Sequence, residues 1–555
     1  MSIEKPARYI GGEWNQTPIK EQADLNICLA FPDLYELGMS NIALKILYEI
    51  LNKDPKIFAE RVFSPWVDFS NLLRKKEIPL FSLESKRPLN QFHLLGITLP
   101  YEMTFTNVLE LLDLGKIPVL AKERNGFPLV IAGGPSAINP MTISPFFDAI
   151  LIGDGEEALY EICKITLSAK NSSCSRKEIL KEIAEVEGFF VPDFPRPVRR
   201  RIFLGFPNFP PPIKPIVSHI ESIHDRSPLE IFRGCIQGCR FCNAGFFYRP
   251  KRERPPEELT NWALKITENT GDEALGLVSL STSDYSNLKK LVNNLESRLP
   301  YPDSSLNLPS LRMNDKTLEL MKVTQKIKKS GLTFAPEAGT QRLRNIIGKN
   351  ITEEEILKVI EGTRETCFRN VKLYFMIGLP FETDEDLDGI GNLMEKILAF
   401  NRRLKLKKEF SISISPFVPK PFTPFQWAPQ ISGKELERRR HIVLKSLKKI
   451  GIKTSWREEF LCSLEAIMAR GDEKVGKLIY AAYNRGCHFD AWNEHFKPNK
   501  WQEALAECNL SIEEYTRERN FEEKLPWDFI DYRVPRKYFE DEYKRAEKLA
   551  SEKHG

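Results

Sequence analysis

The chain lacks the features that mark membrane or exported proteins. No apolar run approaches the roughly 18 residues that a spanning helix needs, and the opening MSIEKPARYIGGEW has no signal-peptide core. These absences lead us to expect a soluble, cytoplasmic protein. Ten cysteines among 555 residues are too sparse for a disulfide scaffold. In a reducing compartment a tight group of them points instead to metal. The net charge of +5 is mild for this length. Basic runs at Arg199 to Arg201, Arg402 to Lys408 and Arg438 to Lys449 read as solvated faces and linkers, with nucleic-acid contact left open. Short-period repeats and low-complexity tracts are also missing, which excludes solenoids and disordered arrays.

What is present is globular: 42% apolar and 28% charged residues, at a length that suits roughly two to four domains. From Asn26, short apolar runs (Ile27 to Phe31, Leu94 to Leu99, Leu129 to Ala132, Ala149 to Ile152) alternate with amphipathic segments such as Met39 to Leu51. Near-continuous apolar strands between helices predict a parallel sheet covered on both faces, with ligands beyond the strands' carboxyl ends. Proline then dominates, in Val191 to Pro197 and Phe206 to Pro215, and excludes long helices and central strands.

A second series of strands is expected at Leu229 to Phe232, Leu277 to Leu280, Ser305 to Leu308, Leu332 to Phe334, Val371 to Ile377 and Phe410 to Ile414. Helices are expected between them, at Tyr285 to Leu299, at Lys316 to Lys329 and from Thr352, where Glu355 completes a capping box. The reading is α/β throughout. Residues 1–25 form an arm, 26–170 a doubly wound Rossmann-like domain and 171–225 a Pro-rich connector. Residues 226–450 form a partial (β/α) barrel of six units, and 451–555 a mostly helical region.

The densest chemical signal is EIFRGCIQGCRFCNAGFF, which follows the first barrel strand and carries Cys235, Cys239 and Cys242. Thiolates are the usual ligands of iron-sulfur clusters, normally one per iron of a four-iron cubane. Three of them leave one iron open, and an open position is what separates a catalytic metal site from a closed structural one. Zinc with a distant fourth ligand, or three incidental core cysteines, are the competing explanations. The nearby His219 and His224 precede the strand, and a glycine-flanked polar loop is a poor place for incidental cysteines.

The C-x3-C-x2-C loop, Phe241 before its third cysteine and the six β/α units resemble the radical S-adenosylmethionine (SAM) superfamily. The resemblance implies an enzyme that binds one [4Fe-4S] cluster on Cys235, Cys239 and Cys242 and chelates SAM through the open iron. Reductive cleavage would release a 5'-deoxyadenosyl radical, for methyl transfer or another modification of an unknown substrate. It implies SAM contacts from Phe241, from Ser281, Ser283 and Asp284 in place of the family's Gly-Gly-Glu, and from Ser310 and Arg312. Glu337, Arg342 and Gly378 complete that set. It also implies an electron donor such as a flavodoxin or ferredoxin.

The first domain resembles the cobalamin-binding domain that many such enzymes carry. Asp33-Leu-Tyr-Glu-Leu-Gly38 keeps the frame of the Asp-x-His-x-x-Gly fingerprint with Tyr35 at the histidine position, so a histidine-ligated corrinoid is not expected there. Asp33, Tyr35, Gly38, Thr98, Gly133 and Gly134 are the positions the resemblance gives to a corrinoid without a lower ligand, or to a sheet kept only for docking. Ala132-Gly-Gly-Pro135, Gly153-Asp-Gly-Glu-Glu157, Ala469-Arg-Gly-Asp472 and Phe489-Asp-Ala-Trp492 extend the resemblance over nearly the whole chain, to an uncharacterised bacterial family of such proteins. Asp490, Trp492 and His495 are expected to reach the substrate from the tail, unless the tail is a plain helical lid. A non-catalytic iron-sulfur redox or binding protein is the alternative function, and an enzyme acting on RNA or ribosomal protein without cobalamin is another.

Overall fold

The computed structural model describes residues 3–172, 174–299, 305–308, 311–318, 332–365 and 369–552. Strands β1 (Leu25–Phe31), β2 (Ile57–Phe63), β3 (Leu94–Thr98), β4 (Leu129–Gly133), β5 (Ala149–Leu151) and β6 (Phe189–Phe190) form one sheet in the order β2-β1-β3-β4-β5-β6. Every pair is parallel except β5 with β6. The strand order reverses between β1 and β3, the kind of switch point where open α/β sheets bind ligands. All seven residues of β1 are buried, because helices cover both faces. The helix Ile42–Lys53 begins where the Asn41 side chain accepts from the Leu44 amide at 3.0 Å.

Two findings extend this layer beyond expectation. Strand β2 carries Glu60 and Arg61, which hide it from a search for apolar runs, yet it is buried throughout. Arg61 bonds Glu84 at 2.6 Å and Glu13 at 3.0 Å, while Glu60 accepts from Ser82 and Ser85. Beyond residue 170, the helix Arg176–Ile183, with its Ser175–Glu178 capping box, and β6 still belong to this layer.

Strands β7 (Val198–Arg199), β8 (Ser227–Glu230), β9 (Phe232–Arg233), β10 (Arg252–Glu253), β11 (Ala274–Val278) and β12 (Ser305–Asn307) follow. After them come β13 (Leu332–Glu337), β14 (Asn370–Ile377), β15 (Glu409–Pro416), β16 (Lys453–Trp456) and β17 (Ile530–Asp531). Among the described residues the barrel strands form two parallel sheets, β12-β11-β8 and β13-β14-β15-β16. The capping box at Thr352 and Glu355 is present. Most of the helix expected over Lys316 to Lys329 lies outside the described residues. Strand β16 is an addition inside the stretch expected to be helical. It is short, polar and half exposed, so only its pairing with β15 reveals it.

The tail is welded to both preceding parts. One apolar core joins Val108 and Leu109 of the first domain, Phe425 and Trp427 after β15 of the barrel, and Trp501 and Trp527 of the tail. Strand β17 pairs with β7 in the connector. Among the described residues no helix is long and apolar enough to cross a membrane.

Candidate functional site

Cys235, Cys239 and Cys242 lie on a loop past β8 and β9 and are half buried. Gly234 lets this loop start: its φ is +97°, and a Cβ there would meet the Pro250 carbonyl oxygen at 2.6 Å. Gly238, at φ +70°, turns the loop between the first two cysteines. The Arg240 amide donates to the Ile347 carbonyl at 2.9 Å, and its guanidinium donates to the Ile346 carbonyl at 2.6 Å. That guanidinium also pairs with Glu542 at 2.8 Å, so the last helix, Arg536–Ser551, braces the cysteine loop. Rings reinforce the contact, with Phe246 and Phe539 centred 5.2 Å apart.

The thiols feel one another. Burial first, and then the neighbouring Cys239, pushes the Cys242 thiol up to about 12. Burial also raises Cys239, while Lys349 and Arg312 favour its thiolate. Among the described residues no group of His, Cys, Asp or Glu converges as the ligands of one ion would.

The facing strand ends supply polar groups. Gln237, inside the cysteine loop, donates to Asp284 at 2.7 Å. Ser281 is buried, and among the described residues its hydroxyl has no hydrogen-bond partner, the state expected of a group awaiting a ligand. Glu337 ends β13 at φ +68°, beside a register shift, with Lys349 at 3.3 Å. A left-handed glutamate is costly, and such strain collects at functional sites. Burial raises its carboxyl above the usual value against the pull of Lys349.

A cavity of about 480 Å³ opens next to this loop. Its floor is Gly96, Thr98, Gly133 and Gly134 at the ends of β3 and β4, and its walls include Ile46 and Leu47 of the covering helix. Its rim carries Asp154, Glu156, Glu230 and Arg233. Arg233 bonds Asp154 at 3.1 Å, Glu156 at 2.7 Å and Glu230 at 3.0 Å, and Arg252 bonds Asp154 at 2.6 Å. The slot is therefore apolar and glycine-floored inside, with a sealed charged edge one residue before Gly234-Cys235.

Residues 43–192 match the family described as radical SAM proteins, N-terminal, and residues 229–394 match the radical SAM superfamily. The chain belongs to the radical SAM superfamily. It is similar to an uncharacterized protein of Methanocaldococcus jannaschii, 29% identical over 461 residues that span 82% of this chain and 90% of that one. It is also similar to the tRNA-2-methylthio-N(6)-dimethylallyladenosine synthase of Pelagibacter ubique, 24% identical across 45% of this chain and 60% of that one. In fold it resembles the cobalamin-dependent S-adenosylmethionine radical enzyme OxsB solved with aqua-cobalamin. That likeness has a TM-score of 0.52 at 13% identity and covers 88% of this chain and 72% of that one. The protein is thus a radical SAM enzyme, of a superfamily that uses a [4Fe-4S] cluster and SAM.

Within this radical SAM framework the expected residues divide sharply. Ser281, Ser283, Asp284, Arg312 and Glu337 gather at the strand ends around the cysteine loop: Ser283 accepts from the Arg312 amide at 3.3 Å, and Arg312 stands 3.9 Å from Asp284. Gly378 ends β14 at φ +79°. Phe241 packs against the large apolar core. Ser310 and Cys367 lie outside the described residues. Arg342 bonds Asp386 at 2.6 Å and the Phe381 carbonyl.

In the first domain, Thr98, Gly133 and Gly134 line the slot, but Asp33, Tyr35 and Gly38 do not. Asp33 accepts from the Trp492 indole at 3.1 Å. The Tyr35 hydroxyl donates to Glu13 at 3.1 Å and accepts from the His219 amide. Gly38 makes room for the Phe63 ring, which a Cβ would meet at 2.2 Å. In the tail, Asp490 is likewise structural, held by Thr106 and Trp501. Trp492 is spent on Asp33, and the His495 ring packs on Trp66 at 4.6 Å. Sequence reasoning missed Lys349 and the Arg240–Glu542 brace. The signal for Lys349 was its place in Gly348-Lys-Asn350 after a short helix, with Gly348 at φ +68°.

Proposed function

We propose that Cys235, Cys239 and Cys242 hold one [4Fe-4S] cluster with an open iron for SAM, and that the enzyme modifies an unactivated carbon. Methyl transfer through a corrinoid in the slot is the favoured form. When bound, the cluster and SAM supply the radical chemistry, and the chain binds, orients and excludes water. The observation that carries this reading is the meeting, at one mouth, of three thiols with the unpartnered Ser281 hydroxyl and the strained Glu337 carboxylate. Arg312 and Lys349 bring positive charge to that mouth, suited to the carboxylate of SAM, and Glu337 and Asp284 suit its amino group.

The slot supports the corrinoid. Gly96, Gly133 and Gly155 with apolar neighbours such as Ile46 and Leu47 would hold an apolar part of the corrinoid, while the Tyr35 hydroxyl is bonded to Glu13 outside the slot. The slot's floor lies at the ends of β3 and β4, on the carboxyl side where parallel α/β sheets bind ligands. The basic run Arg438 to Arg440 is consumed internally, by Asp384, Glu435, Glu382 and the Trp456 ring, so it lends no support to an RNA substrate.

The test is anaerobic reconstitution followed by measurement of iron, sulfide and 5'-deoxyadenosine after reduction. Four irons per chain and SAM cleavage are expected, with both lost in Cys239→Ala at an unchanged circular-dichroism spectrum. Cleavage retained by Cys239→Ala would refute the assignment.

A further inference from the structure

The glycine floor of the slot is surrounded by aliphatic carbon. A Cβ built at Gly96 would first meet Leu29, at 3.4 Å, and one at Gly133 would first meet Leu151, at 3.7 Å. At Gly155 it would meet Leu151 and Leu47, both at 3.6 Å. Leu29, Leu151 and Leu159 are at most 6% exposed and share one apolar core with Phe189, against which Leu47 packs. The barrel adds Phe232, Phe247 and Leu280 to the same lining.

Hydrogen-bonding groups in the lining are mostly engaged already. The Asn41 side-chain oxygen accepts from the Leu44 amide at 3.0 Å, and Ser279 shares a hydrogen bond with Thr282 at 3.1 Å. Arg233 is paired with Asp154, Glu156 and Glu230. The floor's backbone is likewise taken. Gly96 lies between Leu29 and Ile131 of the neighbouring strands, and the Gly133 carbonyl accepts from the Leu99 amide at 2.7 Å.

Such a bed suits a ring that needs few hydrogen bonds. A ring nitrogen or amine placed against it exchanges its bonds to water for contact with leucine, which weakens binding. An apolar ring gains from the same burial. The volume of about 480 Å³ lies within the range of pockets that enclose whole small-molecule groups, roughly 300–1,000 Å³.

We propose that the slot receives the lower base of a cobamide, a corrinoid with a nucleotide-like tail, and selects an apolar base, a benzimidazole or a phenol, over adenine. The proposal rests on the corrinoid reading above and adds to it the class of cobamide. Adenine carries several ring nitrogens and an exocyclic amine. Dimethylbenzimidazole freed from cobalt offers a single unsubstituted nitrogen beside its methyl groups, and a phenolic base has no ring nitrogen. Leu29, Leu47, Leu151 and Leu159 are the residues that set the preference.

The experiment is calorimetric titration of the full-length protein, expressed without cobamides and reconstituted with iron and sulfide. The ligands are cobalamin, which carries dimethylbenzimidazole, an adeninyl cobamide, a cresolyl cobamide, and cobinamide, which lacks the base. Cobalamin and the cresolyl cobamide should each bind at least about tenfold more tightly than the adeninyl cobamide, and cobinamide more weakly than cobalamin. Leu47→Gln, which sets an amide beside Gly155, should reduce the ratio of cobalamin to adeninyl affinity by about threefold or more. Equal affinities for cobalamin and the adeninyl cobamide overturn the selectivity. Cobinamide binding as tightly as cobalamin, or a ratio unchanged in Leu47→Gln, overturns the seating of the base on this floor. Should Leu47→Gln fail to fold, the wild-type affinities decide. If none of the ligands binds, the corrinoid reading falls and takes this proposal with it, whereas equal binding of all of them removes this proposal alone.

Discussion

Asp490 offers a test of the tail's electrostatics. Its carboxyl is 1% exposed, and it accepts from the Thr106 hydroxyl at 2.6 Å and the Trp501 indole at 2.9 Å. Burial pushes it from 3.8 up to about 6, and the two donors only partly offset this. The raised value fixes the sign. Stabilisation from the protonated acid is complete below about pH 3.8 and is lost as pH rises through about 6. Asp490→Asn keeps the shape, can donate to Thr106 and accept from Trp501, and carries no charge to bury.

A gap of about 2 units at about 1.36 kcal/mol each makes the variant more stable than wild type by about 3 kcal/mol at pH 8. The same two values give roughly half of that at pH 5, where the folded acid is mostly protonated. Amide hydrogen exchange of the helices Glu473–Asn484 and Pro498–Glu507, with variant and wild type compared at each pH, reads this local stability. The protection ratio of variant to wild type should rise about tenfold from pH 5 to pH 8. A ratio independent of pH, or a variant less protected at pH 8, would refute the assignment of a buried, reluctantly ionised acid.

Further predictions concern the first domain. Arg61→Met leaves Glu13 and Glu84 buried without their cation and should cost about 3–5 kcal/mol, seen as a lowered thermal transition or loss of soluble protein. Gly153→Ala places a Cβ 2.1 Å from the Arg201 carbonyl oxygen at φ +123° and should destabilise by more than about 1 kcal/mol in denaturant unfolding. Gly133→Leu fills the slot floor, and protein purified from cobalamin-replete medium should lose corrinoid absorption while retaining its iron and sulfide.

Legibility followed how local the governing physics was. The strand β1 was readable because burial on both faces demands an unbroken apolar run. The cysteine loop was readable because thiol spacing is itself the chemistry. Strand β2 escaped because Arg61 is neutralised by Glu84 and Glu13, partners 23 and 48 residues away. The Arg240–Glu542 brace spans 302 residues and leaves no local trace. The Asp33 to Gly38 frame also has packing partners that its spacing does not announce: Gly38 seats Phe63, and the Tyr35 hydroxyl donates to Glu13.

The slot and the cysteine loop share one wall. Asp154 and Glu156 come from the first domain, Glu230, Arg233 and Arg252 come from the barrel, and none of their side chains is more than 10% exposed. Three carboxylates face the guanidiniums of Arg233 and Arg252, and the buried Arg254 lies in the field of Glu230 and Glu156. Arg233 and Arg252 hold Asp154 below the usual range despite its burial. Burial, with the nearby charge of Asp154, raises Glu156 against the pull of Arg233. Parting the domains here would separate Arg233 from two of its three carboxylates and return the whole set to water, so this wall ties the first domain to the barrel beside the cysteine loop.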